Sequence, residues 1–167
     1  DVQNTWEDIF KRGGETYPRT TLRLFSNQVS TGCGVASSAT GPFYCPPDQH
    51  VYLDMTFFRE LKTRFGAPGD FAQAYVIAHE FGHHVQNALA INDQVKSRED
   101  GIKLELQADC LAGVWGHSAA KRKLLEPGDL EEGLGAAASV GDDRIQEKTQ
   151  GRVDPESWTH GSAAERQ

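Results

Sequence analysis

The stretch DFAQAYVIAHEFGHHVQNAL, Asp70 to Leu89, decides how this chain is read. Phe71, Ala74, Ala78, Phe81, Val85 and Ala88 recur at steps of three and four. That spacing predicts a helix over 71–89 with one core-facing stripe. Asp70 followed by Gln73 has the pattern of a capping box that would open it. His79-Glu80-Phe81-Gly82-His83 is an H-E-x-x-H motif in the middle of this helix. Residues four apart stack on one helix face with Cβ atoms about 5–6 Å apart, so His79 and His83 can converge on one ion. Glu80 is rotated about 100° around the axis from His79 and can overhang an open coordination position. A base for water activated by a metal belongs there.

A catalytic zinc usually takes three protein ligands. Metzincins continue the motif with glycine and histidine where this chain has Gln86 and Leu89, so that class is rejected. Downstream, Glu105 lies 22 residues after His83, with Asp109 four residues further along the same face. Taken singly, either residue reads as part of a solvated acidic face. Taken with the motif, the pair resembles thermolysin-like gluzincins. That resemblance implies Glu105 as third ligand and Asp109 as the hydrogen-bond partner orienting His79. His84 points to a different face from His83 and is expected to play a supporting or structural part.

Working outward, Thr5 to Asp8 reads as a capped helix start that Gly13-Gly14 ends. Thr21–Phe25 alternates as a strand, Gly32–Gly41 reads as a loop, and short strands follow at 42–45 and 50–53. Asp54 caps a helix expected to run to Phe65, with Gly66 ending it. Further helices are expected from Ile102 to Lys121, with Ile102, Leu106 and Gly113 facing inward, and from Asp129 to Gly141. Asp129 and Glu132 make a second capping-box pattern. Nothing is assigned beyond Gln150. The expectation is one α+β domain over 1–167, mainly helical, with a small antiparallel sheet in the N-terminal third.

Composition narrows the partners. With 167 residues, 38% hydrophobic and 25% charged, the chain fits one soluble domain with a real core. A net charge of -7 argues against nucleic acid or an anionic membrane surface as partner. No apolar run approaches the roughly 18 residues of a membrane span. The chain begins at Asp1 and its only methionine is Met55, so it reads as a processed product or an excised piece, and any upstream signal or anchor would lie outside it. Cys33 and Cys45 flank a Gly/Ser/Pro-rich stretch. They read either as a disulfide, as two reduced thiols in a cytosolic loop or, against their spacing, as zinc ligands. Cys110 reads as a buried core thiol.

Several long words agree in order with one family: CGVASSATGPFYCPPDQHVYLD, FGAPGDFAQAYVIAHEFGHHVQN, LELQADCLAGVW, GDDR, and Thr159 to Ser162. On these the chain resembles the putative neutral zinc metallopeptidases of bacterial envelopes, although the segment from Gly116 to Leu125 matches poorly. The resemblance implies a zincin-like peptidase domain with one catalytic Zn2+, acting on a peptide or protein substrate. It also implies a place outside the cytoplasm behind a membrane-spanning anchor, and favours a Cys33–Cys45 disulfide. On this reading zinc sits on His79, His83 and Glu105, and Glu80 is the general base. His160 is the candidate donor to the oxyanion, with Tyr52 the second choice. The competing reading is a zinc-stabilised binding or scaffold domain that cuts nothing. An intact Glu80 argues against it, since a purely structural site has no use for a positioned base.

Overall fold

The computed structural model describes every residue from Asp1 to Gln167. Seven helices, α1 (Val2–Arg12), α2 (Met55–Thr63), α3 (Asp70–Ala88), α4 (Arg98–Lys121), α5 (Asp129–Ser139), α6 (Asp142–Gln150) and α7 (Ala163–Arg166), surround a small sheet region. The strands are β1 (Thr21–Phe25), β2 (Gln28–Thr31), β3 (Gly34–Ser37), β4 (Phe43–Cys45) and β5 (His50–Asp54). The fold is α+β and mainly helical. No helix is long and apolar enough to cross a membrane.

α3 is the axis of the molecule. Ala72, Val76, Ala78, Phe81 and Val85 are buried together with Val51 and Leu53 of β5 and Ala112 and Trp115 of α4. Neither expected capping box forms. Gly69 precedes α3 and Gly128 precedes α5, so Asp70 and Asp129 are the first helical residues, where a carboxylate favours the positive helix end. Asp54 does cap α2, accepting from the Thr56 amide at 2.9 Å. Ser97 caps α4 through the Asp100 amide at 3.1 Å, so the helix begins at Arg98, four residues before the expected start. α1 begins at Val2 because Val2, Thr5, Trp6 and Phe10 share one buried face.

α3 and α4 approach closely at one point. A Cβ on Gly82 would sit 3.0 Å from the Ala108 carbonyl oxygen and 3.2 Å from its Cα. A side chain there would be in tighter contact than nearly all Cβ atoms tolerate, so glycine lets the two backbones pass without one helix giving way. The closeness matters because one helix carries the histidines and the other carries Glu105.

The three-stranded sheet has the order β1-β5-β4 and is mixed, not antiparallel throughout. β4 runs antiparallel to β5, whereas β1 runs parallel to it with Thr21 opposite His50. Strand direction follows from the chain path between β1 and β5, which strand propensity does not encode. The stretch expected to be a loop contains half of a hairpin: β2 pairs with β3, Val29 opposite Ala36. Gly113 and Cys110, expected inside, are exposed on the outer side of α4.

Cys33 and Cys45 form a disulfide, with Cα atoms 5.9 Å apart. Cys45 ends β4 and is fully buried, so the bond ties the hairpin to the edge of the sheet. Reduction is expected to lower the unfolding free energy by about 3 kcal/mol, the chain-entropy value for a loop of this size. Urea unfolding with and without reductant checks this, and coincident curves would show that the bond adds nothing.

Candidate metal centre

Two turns of α3 and one of α4 supply the site. His79 Nε2 lies 3.1 Å from His83 Nε2 and 3.2 Å from Glu105 Oε2. His83 Nε2 lies 3.4 Å from Glu105 Oε1. One ligand atom from each residue falls within 4.8 Å of the others. Two imidazole nitrogens and one carboxylate oxygen converging on a point fit the donor set of an open catalytic zinc site.

Each histidine is held from behind. Asp109 Oδ1 accepts from His79 Nδ1 at 2.8 Å, which fixes the proton on Nδ1 and turns Nε2 toward the other donors. Gln86 does the same for His83, its Oε1 accepting from Nδ1 at 2.9 Å. The Gln86 amide nitrogen then donates to the Leu104 carbonyl at 2.7 Å and to Gln107 Oε1 at 2.9 Å, bridging the two helices beside Glu105. In the sequence alone, Gln86 serves only to set the chain apart from metzincins. Its place three residues after His83, on the same helix face, was the available signal.

Asp109 is itself gripped. Tyr75 donates to its Oδ1 at 2.5 Å, and Arg166 of α7 donates from Nε to Oδ2 at 2.9 Å and from Nη2 to Oδ1 at 3.1 Å. Neither Tyr75 nor Arg166 was singled out in the sequence. Burial opposes the Asp109 charge, but the His79 and Arg166 hydrogen bonds outweigh it and hold the carboxyl below its ordinary range.

Glu80 is buried and lines the same cleft. Burial pushes its pKa up against the pull of the two histidines, giving a carboxylate more basic than usual. His79 shows the opposite balance. Burial pulls it down, yet the hydrogen bonds it donates to Asp109 and Glu105 hold its pKa up at about 10. Raised above the ordinary 6.5, this imidazole stabilises the metal-free fold fully below pH 6.5 and loses that contribution as pH climbs through about 10. An ion must displace the same proton, so zinc affinity is expected to rise with pH across that window. Competition against a chelator of known affinity measures the slope, and a flat profile would contradict the His79 assignment.

The cleft has a volume of about 520 Å³. Edge strand β4 and the segment before it form one wall, with Pro42, Phe43 and Tyr44. His160 lines it too, its Nδ1 within 2.8 Å of Thr159 Oγ1 and 3.2 Å of Asp142 Oδ1. The Asp142 hydrogen bond raises the His160 pKa against burial, favouring the cationic donor form. Tyr52 does not line the cleft. Its ring is buried and its hydroxyl donates to Asp48 at 2.7 Å, which removes it as an oxyanion donor. His84 is buried on another face of α3, bonded to Tyr44 and to the Pro18 carbonyl. It stands outside the donor set and pins β4 and the N-terminal segment to the helix.

The family model described as "Putative neutral zinc metallopeptidase" matches residues 1–167. Uncharacterized protein YpfJ of Escherichia coli (strain K12) is 48% identical over 175 residues, covering 99% of this chain and 61% of that protein. Uncharacterized protein Rv2575 of Mycobacterium tuberculosis (strain ATCC 25618 / H37Rv) is 52% identical over 180 residues, covering 98% of this chain and 61% of that protein. The chain thus spans 61% of the length of these curated relatives. No solved structure gives a significant match. With its whole length matched and its histidines and Glu105 brought together, the chain belongs to the putative neutral zinc metallopeptidase family.

Proposed function

We propose that this chain is a zinc-dependent endopeptidase domain that hydrolyses internal peptide bonds of a peptide or protein substrate. The reading rests on one observation: His79, His83 and Glu105 present their ligand atoms to a common point in a cleft that the buried Glu80 also lines. One zinc ion bound there would supply a Lewis acid that acidifies a water and polarises the scissile carbonyl. Glu80 takes the proton from that water and delivers it to the leaving amine. Asp109 and Gln86 keep both imidazoles in the tautomer that leaves Nε2 free. His160 donates to the oxygen on which charge develops.

A substrate chain lies along β4 as an added strand, because β4 is an edge of the sheet and its residues wall the cleft. The domain works outside the cytoplasm, where its disulfide persists, and is held at the membrane by an anchor outside this chain. Nucleic acid is not a partner, given the net charge of -7.

The test is a chelation cycle on denatured protein substrate. Cleavage is expected with the zinc-loaded chain, to stop when a chelator strips the ion and to return when zinc is restored. No turnover by fully loaded protein against an unbiased peptide library would sink the endopeptidase reading in favour of a silent zinc scaffold.

A further inference from the structure

We propose that Arg166 is a positioning residue for the metal centre, acting through Asp109 on His79, so that the short helix α7 is a working part of the site. The inference rests on the donor set proposed above and concerns metal affinity rather than cleavage.

Arg166 is buried although it carries a permanent charge, and all three guanidinium nitrogens are engaged. Nε and Nη2 form a fork on the two Asp109 oxygens, Nη2 also reaches the Tyr75 hydroxyl at 3.2 Å, and Nη1 donates to the Val140 carbonyl at 3.1 Å. A two-point fork fixes the plane of a carboxylate, which a single contact would leave free to rotate. Asp109 Oδ1 is the oxygen that accepts the hydrogen bond from His79 Nδ1. Its direction, and hence the direction of His79 Nε2, is therefore set from residue 166. The guanidinium also offsets the charge of the Asp109 carboxylate, which is buried with it.

The surrounding chain is built to place this arginine. Ser162 and Glu165 form a reciprocal capping box at the start of α7. The Ala163 amide donates to Asp143 Oδ1 at 2.6 Å. Gly141 packs so tightly below it that a Cβ there would fall 2.4 Å from the Ala163 nitrogen. Asp142 accepts from the Thr159 and His160 amides, both at 2.6 Å. Residues 141–143 thus cradle the segment from Thr159 to Arg166 and aim its last side chain at Asp109.

The experiment is a double-mutant cycle in zinc affinity, measured by chelator competition on the whole chain. Arg166→Met is expected to weaken binding by about 10–100-fold, the range for loss of an outer partner of a ligand. Arg166→Lys, which keeps the charge but not the fork, should fall between it and the parent. In an Asp109→Asn background either substitution at 166 should add less than about 2-fold, because the residue it acts through has lost its charge. A purely structural arginine predicts instead that the two losses multiply. Multiplying losses, or parental affinity in folded Arg166→Met, would overturn the proposal. Should Arg166→Met fail to fold, the cycle runs with Arg166→Lys and the same two outcomes decide. A parent that binds zinc normally but cleaves nothing would defeat the endopeptidase reading alone. A parent that takes up no zinc would defeat the donor set and this proposal together.

Discussion

Replacing Glu80 by glutamine is expected to leave zinc uptake at one ion per chain while slowing peptide cleavage by about 10²–10⁴-fold, the usual contribution of a positioned general base. The substitution keeps the shape of the side chain in a buried position and removes its ability to take a proton. The donor atoms of His79, His83 and Glu105 stay where they are, so metal content should not change. Glu80 also predicts the acid limb of the rate profile. Burial raises its pKa, so as pH falls the base is neutralised earlier than an ordinary glutamate would be, and cleavage drops with it. The glutamine variant should lose that limb. Metal analysis and cleavage of one fluorogenic peptide, measured on both proteins across pH, decide the matter. A variant that cleaves as fast as the parent would show that the base is some other group.

Glu105→Ala is the complementary case and should abolish tight metal binding. Removing a ligand outright is expected to weaken zinc affinity by more than the roughly 10–100-fold that loss of an outer partner costs. The carboxylate sits against both imidazoles, and their hydrogen bonds outweigh burial to hold it well below the usual range. No other carboxylate stands in its place, because Asp109 is committed to His79, Tyr75 and Arg166. α4 itself should survive, since Ala112, Trp115 and Ala119 anchor it in the core. Unchanged circular dichroism with lost zinc uptake is the expected pattern. Retained stoichiometric zinc at parental affinity would place the third ligand elsewhere.

The contrast between these residues shows what a sequence exposes. His79, Glu80 and His83 are legible because their geometry is local: one helix and a spacing of four fix it. Glu105 is legible only through its distance from the motif and a known ligand pattern, not through any local rule. Gln86 is legible as a partner of His83 by its spacing of three, but its bridge to Leu104 and Gln107 is a contact between helices that no periodicity announces. Arg166 is 57 residues from Asp109, and its role exists only once 141–143 have turned the chain back. α6 was missed because DDRIQEKTQ is almost wholly polar and gives no apolar stripe to read. β2 and β3 were half hidden in a run of serine, threonine and glycine. The parallel pairing of β1 with β5 depends on the path between them, which residue preferences leave open.

The narrow gap at residue 82 bears on how such motifs are searched for. The two middle letters of H-E-x-x-H are conventionally written as free, yet here the second faces the Ala108 backbone so closely that even a methyl group would press on it. A library randomised at 81 and 82, with both imidazoles and the intervening acid untouched, would return survivors dominated by glycine at 82 and an apolar side chain at 81. Those two spacer letters therefore reflect which neighbour lies across the gap, here the helix that carries Glu105.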